Sequence, residues 1–166
     1  KKHEIEVVFF YGWSWIVREP ILSKYTCLCL HPAPLPKYRG GTPIQHQIVA
    51  GEEMSAVSVF KMTEGIDDGD VYKQIPFSLA GTLDEILSRI IDLGIVITRD
   101  FLQDLINESV LFYPQLDLGN NLALKRRNES DGEIHLDQAM FSSYKDIYNL
   151  VRGLNDPYPN AYISFE

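Results

Sequence analysis

Three stretches of the sequence carry side chains with chemistry to offer. The first is His31, where the apolar run Thr26 to Leu30 gives way to a proline-rich segment. An imidazole titrates near neutral pH and serves as an acid or as a positive donor. At the carboxyl end of a strand it stands where open α/β sheets bind ligands. The plainer reading of His31 is a histidine bonding a local carbonyl. The second stretch is the acidic turn Glu64-Gly65-Ile66-Asp67-Asp68-Gly69-Asp70. Its carboxylates can bind a metal, orient a histidine or simply solvate a turn. No glutamate closes a calcium-loop pattern, so no metal site is read here. The third is the loop His31-Pro32-Ala33-Pro34-Leu35-Pro36-Lys37-Tyr38-Arg39-Gly40-Gly41. Its prolines stiffen it, its glycines let backbone approach a ligand, and Arg39 offers an anion a planar fork.

These residues need elements to hold them. Ile5 to Tyr11 and Thr26 to Leu30 read as strands, the first of them buried on both faces. Pro20 suits the first turn of a short helix, and Pro43 to Val49 reads as another. Ser55 to Met62 and Val71 to Leu79 are strands joined by the acidic turn. Thr82-Leu83-Asp84-Glu85 is a capping box, behind which Leu83, Ile86, Leu87, Ile90 and Ile97 form one stripe of a helix reaching about Leu105. Pro114 to Glu133 is polar and reads as loop with short extended pieces. A last helix opens at Ser143, with Ile147, Leu150, Val151 and Leu154 at core spacing, and Ala161 to Phe165 reads as a final strand. Strands alternating with helices predict an α/β fold.

Composition limits the possibilities. With 45% hydrophobic and 23% charged residues the chain is globular rather than disordered. Fifteen Lys+Arg against 23 Asp+Glu give a net charge of −8, which counts against a polyanion partner. Cys27 and Cys29 make neither a disulfide framework nor a zinc set, pointing to a reducing compartment or to no redox constraint, and a cytoplasmic setting is expected. No apolar run reaches membrane-spanning length, and no leader is read, so no membrane association is expected.

The motifs carry a resemblance. His31 to Gly41, followed by Thr42-Pro43-Ile44-Gln45, resembles the signature Asn-x-His-x-Ser-x-Leu-Pro-x-Tyr-Arg-Gly of the 10-formyltetrahydrofolate-dependent formyltransferases. The turn Met62 to Asp70 resembles that family's second motif, and Gly12-Trp13-Ser14-Trp15-Ile16 the segment lining its pterin pocket. Asp131-Gly-Glu-Ile134, Ile147 to Arg152 and Pro157 to Ala161 resemble the part shared by methionyl-tRNA and sugar formyltransferases. The resemblance implies a Rossmann-like formyltransferase core lacking its first strands, in residues 1–113. Residues 114–166 would then be a linker and the start of a C-terminal subdomain. A sheet short of strands would expose an apolar edge and leaves a homodimer open.

By the same resemblance, His31 matches the catalytic histidine and Asp67 the catalytic aspartate. Trp13, Trp15, Ile16, Ile66 and Asp67 would contact the formyl donor, 10-formyltetrahydrofolate, and Lys37, Tyr38, Arg39 and Gly40 the acceptor. The third catalytic position, an asparagine in the family, is Cys29, and a serine is replaced by Ala33. A thiol is a weak donor beside a carboxamide, and losing an oxyanion donor costs about 10²–10³ in rate. Gln45, a backbone N–H or a water are candidate replacements for the lost donor. Two acceptors are weighed. A dTDP- or UDP-linked amino sugar suits an acidic chain, whereas tRNA needs a basic face. The one tight basic cluster, Lys125-Arg126-Arg127, reads as solvated loop, so the amino sugar is the expected acceptor. A degenerate folate- or nucleotide-sugar-binding module is the alternative of another class. His46 reads as a surface histidine and Tyr158 as packing at the domain end.

Overall fold

A computed structural model describes residues 5–117, 119, 123–135 and 143–164. Four strands form one sheet in the order β1 (Val7–Phe10), β2 (Thr26–His31), β3 (Met54–Lys61) and β4 (Val71–Ser78). β1 runs parallel to β2, with Val7 opposite Thr26 and Phe10 opposite Cys29, while β2–β3 and β3–β4 are antiparallel. The short helix α1 (Ile21–Lys24) makes the crossover from β1 to β2. β3 is paired on both sides, and Ser55 to Phe60 are all buried. β1 departs from expectation: it is only half-buried along its length, because it has one ladder neighbour among the described residues.

Pleating assigns the faces. Leu28 and Leu30 point to one side of β2 and join the main core, so Cys27, Cys29 and His31 point to the other. The first side is covered by α3 (Leu83–Ile106), whose start is fixed by the reciprocal Thr82–Glu85 capping box. Leu83, Ile86, Ile90, Gly94, Ile97 and Phe101 are buried at helical spacing. Leu87, expected on the stripe, is partly buried at its edge. Gly94 has a steric reason: a Cβ there would meet Leu30 Cδ1 at 2.6 Å. Phe101 packs edge-on against Tyr72 at 5.1 Å, and Lys73 Nζ pairs with Asp100 Oδ2 at 2.9 Å, fastening α3 to β4. The outer side of α3 leaves Ile91, Ile95 and Ile106 exposed beside an apolar cleft of about 840 Å³. No helix among the described residues is long and apolar enough to cross a membrane.

The C-terminal part docks through α2 (Pro43–Val49) and α4 (Tyr144–Gly153). Gly153 brings α4 close to Ile48, where a Cβ would lie 3.0 Å from Ile48 Cγ2. Arg152 donates to the carbonyls of Leu79 (2.6 Å) and Gly81 (3.1 Å), tying α4 to the end of β4. Two expectations change here. Val151 is exposed, and Asn149, accepting from Arg152 Nε at 2.8 Å, takes a buried place. Ala161 to Phe165 is no strand over its described residues, 161–164. It makes one isolated bridge, Glu133 to Tyr162, without a ladder on which to extend. Glu129–Gly132 forms a 3₁₀ turn, capped by Asn128 and Asp131, within the stretch read as loop.

Candidate active site

The proline-rich loop is deeply embedded: His31, Ala33, Leu35 and Arg39 are all buried. Prolines supply no N–H, so beyond the few bonds within the loop, such as Leu35 N to Ala33 O at 2.9 Å, its carbonyls draw on donors from outside it. They are found on the sheet and on α2. Ser58 Oγ donates to Ala33 O (2.5 Å), Gln74 Nε2 to Leu35 O (2.8 Å), and Gln47 Nε2 to Pro32 O (2.9 Å) and Pro43 O (3.0 Å). Ser58 faces His31 across the β2–β3 ladder, so the same register that aligns the strands anchors the loop.

His31 is gripped at both ring nitrogens. Nε2 donates to the carbonyl of Tyr38 at 2.8 Å, and Nδ1 faces Asp67 Oδ2 at 3.4 Å. Tyr38 adopts φ +60, and this left-handed turn brings its carbonyl back toward the imidazole. Asp67 also has positive φ (+50), which aspartate tolerates better than most residues. Its Oδ2 accepts the Gly40 N–H at 2.8 Å, so one carboxylate joins the acidic turn, the histidine and the loop. With Nε2 committed as a donor, Nδ1 is the nitrogen that meets the carboxylate.

A cavity of about 460 Å³ opens over this pair. Trp13, Trp15, Ile16, Cys29, His31, Gly40, Ile66 and Asp67 all line it, bringing most of the sequence-derived site together. Lys37, Tyr38 and Arg39 do not line it. Lys37 is exposed, and Tyr38 OH donates to Glu52 Oε1 at 2.8 Å. Arg39 is no free anion fork: Nε and Nη2 both donate to Gln115 Oε1, at 3.0 and 2.7 Å. Gln45 borders the apolar cleft beside α3 instead of this cavity. Tyr158 lines both, and His46 clips the Lys125 carbonyl at 3.0 Å.

Burial, and then the nearby Asp67 charge, push the Cys29 thiol from its ordinary 9.0 up to about 12. Its Sγ lies 3.7 Å from Leu30 O, and His31 has no nitrogen committed to it. A thiol with its proton held so firmly is not an activated nucleophile. Among the described residues no group of His, Cys, Asp and Glu is arranged to hold a metal.

Lys125 and Arg126 are exposed, as expected of a solvated loop, but the backbone around them is docked on the proline-rich loop. Gly41 N donates to Leu124 O (2.9 Å), Leu124 N to Arg39 O (2.8 Å), and Arg127 N to Thr42 Oγ1 (3.0 Å). Gly40 and Gly41 permit this approach: a Cβ on Gly41 would meet Arg126 Cα at 2.6 Å. Arg126 thereby lines the cavity, and exposed Lys125 stands beside it.

Residues 1–95 match the family model described as Formyl transferase. A methionyl-tRNA formyltransferase from Rickettsia massiliae is 35% identical over 98% of this chain and 52% of its own length. The chain thus spans about half the length of that curated relative. A solved methionyl-tRNA formyltransferase from Clostridium thermocellum is similar at TM-score 0.80 and 30% identity, covering 96% of this chain and 67% of that one. A 4-N formyltransferase from Francisella tularensis reaches TM-score 0.81 at only 18% identity, over 95% of this chain and 65% of that one. That likeness shows the Rossmann-like fold alone. The amino-sugar acceptor expected from net charge is therefore corrected: the relatives at 30–35% identity are methionyl-tRNA formyltransferases. Net charge misled because charges on a protein surface act within about 10 Å, so local placement outweighs the sum.

Proposed function

Since the chain belongs to the formyl transferase family, we propose that its His31–Asp67 site moves a formyl group from 10-formyltetrahydrofolate to the amino group of methionyl-tRNA. The observation that carries the acceptor is the 35% identity across 98% of the chain to a methionyl-tRNA formyltransferase. Arg126 in the cavity wall, with Lys125 beside it, gives that acceptor a physical basis. Cations there can neutralise phosphates near the reacting amine. Residues 1–113 supply the sheet and the His31–Asp67 pair, and 114–166 a linker and C-terminal subdomain residues, which lend the site Gln115 and Arg126.

Trp13 (53% exposed), Trp15 (76%), Ile16 (63%) and Ile66 (50%) present apolar faces around the cavity. Such a rim suits a flat, partly apolar ring like the donor's pterin. The chemistry then uses groups already in place. The amine's lone pair forms a bond to the formyl carbon, and the C=O π pair moves onto oxygen. The imidazolium form of His31 stabilises that oxyanion by its charge, and Asp67 stabilises the imidazolium. Collapse breaks the bond to N10 of the folate, which takes up a proton as the new amide nitrogen loses one.

Offering labelled donor to methionyl-tRNA and to a dTDP-linked amino sugar in one reaction tests the reading. Label in the tRNA fraction is expected, and label in the sugar nucleotide alone would overturn it.

A further inference from the structure

We infer that Gln115 is a positioning residue for the His31–Asp67 pair. Its amide is saturated. Oε1 accepts from Arg39 Nε and Nη2 at 3.0 and 2.7 Å, and Nε2 donates to Asp67 O at 2.8 Å and Gly69 O at 2.7 Å. One side chain therefore fastens the His31 loop, through Arg39, to the acidic turn, through the main chain of Asp67 itself. Arg39 adjoins Tyr38, whose carbonyl holds His31 Nε2, so both grips on the imidazole depend on this clip. Gln115 is itself held: two residues before it, Tyr113 pairs with Val71 through two backbone bonds of 2.8 Å, at the end of the acidic turn.

A carboxamide is the side chain suited to the place. It must accept from a guanidinium on one atom and donate to two carbonyls on the other. Glutamate keeps the Arg39 contact but turns a charge without protons on the carbonyls of Asp67 and Gly69. Methionine keeps the bulk and loses all four bonds. Displacing reacting groups by ~1 Å is enough to lower a rate by as much as 10²-fold.

The test compares Gln115→Glu and Gln115→Met with wild type, in the full chain, and its kinetic arm rests on the proposed formyl transfer. kcat and both KM values are measured together with the imidazole ¹⁵N spectrum of His31 without substrate, assigned by its loss in His31→Gln. The expected result is a fall in kcat of at least about tenfold, KM values within about twofold, and His31 ring-nitrogen shifts departing from those of wild type. A wild-type His31 spectrum in both variants would overturn the inference, as would unchanged kcat. If Gln115→Met does not fold, the near-isosteric Gln115→Glu carries the test. If wild type transfers no formyl group, the functional proposal fails and the spectrum alone decides the role of Gln115.

Discussion

His31 turns Nδ1 toward Asp67 Oδ2 at 3.4 Å, while the same oxygen accepts the Gly40 N–H at 2.8 Å. The carboxylate thus has two separable jobs, charge for the imidazole and a tether for the loop. Asp67→Asn keeps an oxygen for Gly40 and loses the charge. We expect kcat to fall by about 10²–10⁴ with little change in melting temperature. Asp67→Ala removes the tether as well, and should lower both. Paired kinetics and thermal melts of the two variants check this.

Cys29 occupies the place where the family signature has an asparagine, and its thiol is pushed up to about 12. At pH 8 iodoacetamide should leave folded Cys29 unlabelled. The folded thiol binds its proton more firmly than the unfolded one. Its contribution to stability is therefore full below pH 9 and lost as pH rises from 9 toward 12. Urea midpoints across that range should fall less steeply in Cys29→Ala. Cys29→Asn should raise the transfer rate at least about tenfold by restoring an oxyanion donor.

If methionyl-tRNA is the acceptor, Arg126 in the cavity wall, with exposed Lys125 beside it, would meet its phosphates. Arg126→Gln should raise KM for methionyl-tRNA and flatten its dependence on log salt by about 0.7–0.9. The donor KM should stay unchanged. Initial rates at four or five salt concentrations give both quantities.

Thr82 caps α3 by accepting from Glu85 N, and Glu85 reaches back to Thr82 N at 2.8 Å. Thr82→Ala should destabilise the protein by about 1 kcal/mol without altering the transfer rate. Urea unfolding measures the first and a rate assay the second.

What the sequence made legible was local. The α3 stripe and capping box, and the strand–loop–helix from Thr26 to Val49, follow from spacing and turn residues within a few positions. His31 and Asp67 were legible through motif resemblance. The supports of the site were not, because their partners are main-chain carbonyls far along the chain. Gln115 meets Asp67 across 48 positions, and Gln74 meets Leu35 across 39. Arg39 read as an anion fork because nothing in its own loop announces the glutamine that occupies it. Lys125 and Arg126 face solvent as their charge implies, but nothing near them in sequence reveals that Gly40 and Gly41 admit the backbone of 124–126. The glycines were visible, but what they approached was not.

The central claim is tested most directly by following label from 10-[¹⁴C]formyltetrahydrofolate into methionyl-tRNA, with wild type and His31→Gln side by side. The account predicts N-formylmethionyl-tRNA from wild type and a rate at least about 10²-fold lower from His31→Gln. No label in the tRNA with wild type, or equal rates from the two proteins, would contradict it.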